Sequence, residues 1–372
     1  MIKGIYVHIP FCGKKCNYCD FSTMINQENR VEEYIDLLEK EIYKYKDKKD
    51  LIDTLYIGGG TPSQIDSKYI VQIYKIIERS FDLKLREFTI EANPDSIDDK
   101  KISDYLSIGV NRVSLGVQTF NNNLNKILGR SHCLSDVYKA YESISKKIDN
   151  ISIDLMYGIP NQKIEDIEVD LQNIQKLKPK HISWYNLIVE SGTKFYKLYA
   201  DKEVMDEDYE LELYRMIYKG LGEKYRHYEI SNYAMEGFES KHNKIYWHDE
   251  SYYGFGISAS GYINKFRYSN EYFYNNYKKK ILEGQRPLTE KEYIDREKEV
   301  FEYVIMNMRL KDGINLDYFY KKFAINFYHE NKNLIEAWLD RNLIRFEKEN
   351  LAFTDEGFYI SNSFFRDLSL SN

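Results

Sequence analysis

Three of the four cysteines, Cys12, Cys16 and Cys19, fall within eight residues of one another in the stretch Tyr6-Val7-His8-Ile9-Pro10-Phe11-Cys12-Gly13-Lys14-Lys15-Cys16-Asn17-Tyr18-Cys19-Asp20-Phe21. The C-x₃-C-x₂-C spacing puts three thiolates on one tight loop. That is enough to hold three irons of a [4Fe–4S] cube and leave the fourth without a protein ligand. An open iron implies an exogenous ligand. Zinc is a weaker reading: Asp20 or His8 could supply a fourth ligand, although closed structural zinc sites usually draw on two separated pairs. A disulfide framework fits least, because an odd trio with only Cys133 elsewhere cannot pair off.

A second cluster of chemistry-bearing residues lies at the ends of short apolar runs. Gly58-Gly59-Gly60-Thr61-Pro62 lets the backbone approach a ligand and offers it N–H and C=O groups, or else forms a tight turn. It lacks the lysine of a phosphate loop and the spacing of a dinucleotide fingerprint. Glu91, Gln118 and Asp154 end other runs, and Arg130 follows Gln118 closely. A carboxylate there can take ribose hydroxyls, and an arginine can clamp a carboxylate bidentately.

The elements that must position these groups alternate. Strands are expected over Tyr6–Ile9, Thr54–Ile57, Glu87–Glu91, Arg112–Val117, Ile151–Met156 and His181–Leu187. Helices are expected over Val31–Tyr45, Lys68–Glu78, 98–109, 134–147 and 163–177. Six such β/α units predict a partial (β/α)6, TIM-like barrel, whose loops emerge on the rim where such folds do chemistry. Four of the six prolines, Pro10, Pro62, Pro94 and Pro160, fall just after these strands. Beyond 230 the alternation fades. We expect an edge strand over Tyr225–Ile230 and an irregular stretch over 231–270. Helices follow at 271–283, 290–309, 315–323 and 331–341, then a hairpin over residues 343–353, as in a winged helix. The domain division is therefore 1–230, 231–290 and 291–372. Acidic residues around the hairpin, Asp340, Glu347, Glu349, Asp355 and Glu356, fit a packing or partner-binding module rather than a DNA reader.

The chain's 372 residues, 43% hydrophobic and 30% charged, suit a large domain with a smaller one appended. A net charge of −6 argues against a general nucleic-acid binder. No apolar run is long enough to span a membrane, and the first strand begins almost at Met1, so a cytoplasmic location is expected.

Taken together, Tyr6–Cys19, Gly58–Pro62, Glu91-Ala92-Asn93-Pro94-Asp95, Gly116-Val117-Gln118-Thr119-Phe120, Gly129-Arg130-Ser131-His132 and Asp154–Pro160 resemble the radical S-adenosylmethionine (SAM) family, in the branch containing the oxygen-independent coproporphyrinogen III oxidases. The resemblance implies Cys12, Cys16 and Cys19 as cluster ligands. It implies SAM contacts from Tyr6, Tyr18, Gly59, Gly60, Thr61, Glu91, Gln118, Arg130 and Asp154. In that family SAM chelates the open iron, and one electron cleaves it to methionine and a 5′-deoxyadenosyl radical. Two departures bear on the subfamily. Phe21 stands where the oxidases carry a fourth cysteine, and the first strand is expected almost at Met1, whereas the oxidases carry a long N-terminal arm before the cluster loop. Both resemble the heme chaperone branch known as HemW, as does His242-Asn243-Lys244-Ile245-Tyr246-Trp247, similar to that branch's H-N-x-x-Y-W signature.

The resemblance therefore implies a protein that binds heme and passes it to acceptor proteins, with an electron donor such as a flavodoxin or ferredoxin. SAM cleavage is possible in principle; porphyrinogen oxidation is the alternative function. A zinc-stabilised interaction protein is the third reading. His242 is a candidate axial heme ligand, beside Tyr246 and Trp247, and His248 could substitute; its bland alternative is a loop histidine bound to backbone. Gly254-Phe255-Gly256-Ile257-Ser258-Ala259 is expected to be a turn against the ligand cavity, and Cys133 a buried small apolar residue.

Overall fold

The structure is a computed structural model that describes residues 2–48, 50–200, 202 and 204–369. Six parallel strands form its centre: β1 (Gly4–Ile9), β2 (Leu51–Gly59), β3 (Asp82–Ala92), β4 (Arg112–Gln118), β5 (Asn150–Tyr157) and β6 (His181–Asn186). They lie side by side in chain order, each linked to the next by helices that cover the outer face. The expected partial barrel is present, and the sheet does not close.

Strands covered on both faces usually read as unbroken apolar runs. These alternate instead. Ile5, Val7, Leu55, Ile57, Phe88, Ile90, Val113 and Leu115 are buried against the helices. The intervening residues, such as Tyr6, Thr54, Tyr56, Glu87, Glu91, Arg112, Ser114, Asp154 and Ser183, share the opposite face. The register pairs Glu91 with Ser114, Ser114 with Ser152, and Asp154 with Ser183. A period of two with polar residues inward makes the lumen a hydrogen-bonding interior.

The segment 231–270, expected to be irregular, is ordered and extends this sheet. β7 (Arg226–Glu229) forms one edge, with β8 (Asn232–Ala234) lying antiparallel between it and β6. The chain then crosses to the far side, where β9 (Tyr252–Phe255) pairs parallel with β1. β10 (Ser260–Ile263), β11 (Phe266–Asn270) and β12 (Leu288–Tyr293) follow antiparallel, so the helix expected at 290–309 starts only at Arg296. These strands are three to six residues long and hide their period under tyrosines. Gly254 and Phe255 thus belong to a buried strand, not to a cavity turn. A Cβ on Gly254 would lie 1.9 Å from the Ser260 carbonyl oxygen, and that crossing requires glycine.

Helix Lys241–Trp247 plugs the N-terminal end of the lumen. Its Lys241 and His242 N–H groups both donate to the Glu87 carboxylate at 2.9 Å, an anion on a helix N-terminus. On the other side, Tyr34 of helix Val31–Tyr43 ties β1 to the β9 turn: its hydroxyl donates to the His8 carbonyl at 2.7 Å and accepts from the Ile257 N–H at 3.2 Å. Tyr34→Phe removes no bulk, yet leaves both backbone groups buried without a partner. We expect it to lower stability by about 2 kcal/mol, read from urea midpoints.

Residues 296–369 build a second core, made of helices Arg296–Met308, Leu316–Phe323 and Lys332–Asp340 and a three-stranded antiparallel sheet. In that sheet Asn350–Phe353 runs between Ile314–Asn315 and Ile344–Glu347, the winged-helix-like pattern. The module is tied to the barrel by Asp355, which bonds His227 at 2.9 Å, and by Arg215, bidentate on Glu356. Among the described residues, no helix is long and apolar enough to cross a membrane.

Candidate functional site

The cysteine loop leaves the end of β1 and is fastened at several points. His8 is buried, and its Nε2 donates to the Ser22 carbonyl at 3.0 Å, which leaves Nδ1 to accept from the Tyr6 hydroxyl at 3.1 Å. Both nitrogens are therefore used, and burial holds the ring's pKa down to about 4. Further along, Asn17 receives and gives backbone bonds: its N–H donates to the Leu128 carbonyl at 2.9 Å, and its carbonyl accepts from Phe195 at 2.8 Å. Gly129, at φ +80°, allows this approach, since a Cβ there would meet Asn17 at 3.0 Å.

Behind the loop stands the glycine run. Gly59 has φ +115°, and a Cβ on it would press into the His8 ring at 2.7 Å. A Cβ on Gly60 would meet the Cys12 sulfur at 3.0 Å. The run thus brings bare backbone against the thiols. Cys12 Sγ lies 3.4 Å from the Thr61 hydroxyl, and Arg130 Nη1 points at Cys16 Sγ from 3.5 Å. Burial raises the Cys12 thiol's pKa and pushes Cys19 up to about 11. Metal binding must therefore displace their protons.

The thiols open onto a cavity of about 410 Å³ that continues into the lumen. Every residue expected to touch the cluster or SAM lines it, except Tyr6. Glu91 accepts from the Tyr56 hydroxyl at 2.8 Å and from the Gly59 N–H at 3.0 Å, and burial lifts its pKa to about 7. Asp154 is held by the Ser114 and Ser152 hydroxyls at 2.8 and 2.9 Å, and burial raises its pKa too. Arg130 Nη2 donates to Asn93 Oδ1 and to the Gly116 carbonyl, both at 2.7 Å. Gln118 has φ +68° at the point where the β4–β5 register slips, a bulge that re-aims its side chain.

Three expectations need correction. Tyr6 is directed toward His8 and the Tyr56 ring, 6.0 Å away, and does not line the cavity. His242 is 1% exposed in the plug helix, with Nδ1 2.7 Å from the Thr54 hydroxyl and Nε2 2.7 Å from the Tyr246 hydroxyl. Burial, with Arg112 nearby, holds its pKa at about 3, so the ring is neutral but has no free nitrogen for iron. Cys133 is exposed at the start of helix Leu134–Ser145, where its sulfur lies 3.0 Å from the Ser135 hydroxyl and 3.1 Å from Asp136 Oδ2. Several lining residues escaped the sequence reading: Tyr56, Arg112, Ser114, Ser183 and Tyr185. The inward-polar alternation of the strands was the signal for them.

Three thiols on one loop, with the glycine run bringing bare backbone against Cys12, are a donor set that fits a cube, in which each thiolate takes its own iron.

A model of the radical SAM superfamily matches residues 6–174, and one of the HemN C-terminal domain matches residues 294–360. The chain is 35% identical over 375 residues to the heme chaperone HemW of Lactococcus lactis subsp. lactis (strain IL1403), spanning 100% of this chain and 98% of that one. The chain belongs to the HemW family. The Bacillus subtilis (strain 168) member is 33% identical over 372 residues, covering 98% of both chains. Among solved structures, coproporphyrinogen III oxidase (HemN) from Escherichia coli superposes with a TM-score of 0.84 over 98% of this chain and 89% of that one. At 19% identity that likeness shows the fold alone. Radical SAM architecture with a HemN-type C-terminal module is thus established, and the HemW relatives do not favour the oxidase alternative. Phe21, where the oxidases are expected to carry a fourth cysteine, is 57% exposed at the cavity.

Proposed function

We propose that this chain is a cytoplasmic heme chaperone that holds a [4Fe–4S] cluster and SAM and passes heme to acceptor proteins. The observation that carries the reading is a loop of three thiols, followed by Phe21 rather than a fourth cysteine, in a chain 35% identical along its length to a protein named heme chaperone HemW. When bound, the cluster and SAM supply one-electron chemistry; the chain supplies position and charge. Cys12, Cys16 and Cys19 each take an iron. Arg130, fixed by Asn93 and Gly116, lies beside Cys16 and offers its guanidinium to a carboxylate. Glu91 and Asp154 face the same space and can accept from amino and hydroxyl groups, with Tyr18, Gly59, Gly60, Thr61 and Gln118 completing the wall. Lys14 and Lys15 stand at the loop's mouth, where they suit an acidic donor such as a flavodoxin or ferredoxin. Thiols that must stay reduced to take iron fit a reducing compartment.

The test is anaerobic reconstitution followed by heme titration and a porphyrinogen turnover assay on the same sample. A saturable Soret change without decarboxylated product is expected; no Soret change would sink the heme reading. In His242→Ala the Soret band should be unchanged. Stability should fall by about 2 kcal/mol, because the Thr54 and Tyr246 hydroxyls lose a buried partner. An altered band would assign the iron to His242 instead.

A further inference from the structure

Gln118 and Arg130 both line the cavity, yet regular secondary structure places neither of them. Gln118 ends β4 at φ +68°, a conformation that persists in a residue other than glycine only where the surroundings over-determine it. Arg130 follows Gly129 in the turn between helices Asn122–Leu128 and Leu134–Ser145. What fixes both is a strap of hydrogen bonds behind the cavity wall. The Gly116 carbonyl accepts from Arg130 Nη2, the Val117 carbonyl from His132 Nε2 at 3.1 Å, and the Thr119 carbonyl from Asn125 Nδ2 at 2.9 Å. The Asn125 carbonyl in turn accepts from the Arg130 N–H at 2.9 Å. The turn that carries Gln118 and the segment that carries Arg130 are thereby one unit.

One side chain from elsewhere in the chain keys this unit. Asp170 stands on helix Ile164–Leu177, 50 residues beyond Phe120, and its Oδ1 accepts from both the Thr119 hydroxyl and the Phe120 N–H. The Thr119 oxygen, its proton given to Asp170, accepts from the Asn121 N–H at 3.1 Å. Asp170, Thr119, Asn125 and His132 are all buried, so water does not compete for these bonds. The cost of the arrangement is plain: a carboxyl lies in the core with its second oxygen unbonded. An apolar side chain of similar size would pack this helix against the sheet without that cost. It could not hold the two donors, and with them the left-handed turn at Gln118.

We propose that Asp170 is a positioning residue for the SAM site: it holds the turn that presents Gln118 and, through the link from Thr119 to Asn125, the segment that presents Arg130. The inference rests on the SAM reading above and adds a residue that touches no ligand. The experiment compares Asp170→Leu, which has no acceptor, with Asp170→Asn, which keeps one, in the full reconstituted chain near neutral pH. SAM affinity is read by equilibrium dialysis, and the EPR spectrum of the reduced cluster is recorded with and without SAM, alongside iron content. Asp170→Leu should weaken SAM binding about tenfold and remove the SAM-induced change in the spectrum, with iron loading unchanged. Asp170→Asn should restore both, with an affinity within about twofold of wild type. Three results overturn the role: SAM binding in Asp170→Leu equal to wild type, a loss in Asp170→Asn as large as that in Asp170→Leu, or a loss of iron together with SAM, which would put the effect at the cysteine loop. If Asp170→Leu does not fold, Thr119→Val decides, since it removes one of the two donors; binding about threefold weaker supports the role, and unchanged binding overturns it. Wild-type protein that binds no SAM overturns the SAM reading itself.

Discussion

Replacing any one of Cys12, Cys16 or Cys19 by alanine should abolish cluster assembly, taking the reconstituted protein from about four irons per chain to fewer than one. Cys133→Ala should leave the iron content unchanged. The difference lies in where the sulfurs stand. Cys12 is wedged between Thr61 and the glycine run, and Cys16 faces Arg130. Cys133 sits exposed at a helix start, engaged with Ser135 and Asp136. A cube held at two corners has lost a charge-bearing strong bond, and His8 cannot replace it, since both its nitrogens are committed. Iron and sulfide analysis checks this, together with absorption that dithionite bleaches. Full iron loading in Cys19→Ala would mean that another group completes the site.

The second large effect is one of pH. Asp170 is fully buried behind the Gln118 bulge. One carboxyl oxygen accepts from the Thr119 hydroxyl at 3.1 Å and the Phe120 N–H at 2.6 Å, and the other has no partner. Burial pushes its pKa up to about 8. The unfolded chain gives up this proton near pH 3.9, so between that value and about 8 the folded state holds more protons and stability falls as pH rises. Asp170→Asn keeps an oxygen for Thr119 and Phe120 and does not ionise. Its stability relative to wild type should rise by roughly 4 kcal/mol between about pH 5 and about pH 9. The buried histidines pull the other way. His8, His132 and His242 are held at about 4, about 4 and about 3, so their contribution is present above about pH 6.5 and lost on acidification. They are common to both proteins and cancel in the comparison. Urea midpoints across the range measure it, and a difference that stays constant with pH would show that Asp170 ionises normally.

The contrast between the legible and illegible parts of the fold has a physical basis. The six barrel strands and the helices after them were readable because each has a strong period, and four of the strands run into a proline or glycine that a turn requires. The rim residues Glu91, Gln118, Arg130 and Asp154 were readable because chemistry-bearing side chains at strand ends have few structural roles. β9 was not, because Tyr252–Phe255 owes its place to a partner near the other end of the chain, and no local pattern encodes that pairing. His242 misled for a related reason. A histidine flanked by aromatics looks like a ligand until Glu87 and Thr54, remote in sequence, are seen to hold its helix in the lumen. Phe21 was legible as an absence of sulfur.

The pairing of Gly4 with Tyr252 also sets an order of events during synthesis. When β1 and the cysteine loop leave the ribosome, one flank of that strand has no neighbour, and its partner is still some 250 residues away. At about 5–20 residues per second the wait is on the order of 12–50 s. Through that interval the three thiols hang from an unfinished edge, reachable by whatever delivers iron and sulfide. The arrival of β9, latched by Tyr34, then covers that flank, and the plug helix seals the far end of the lumen.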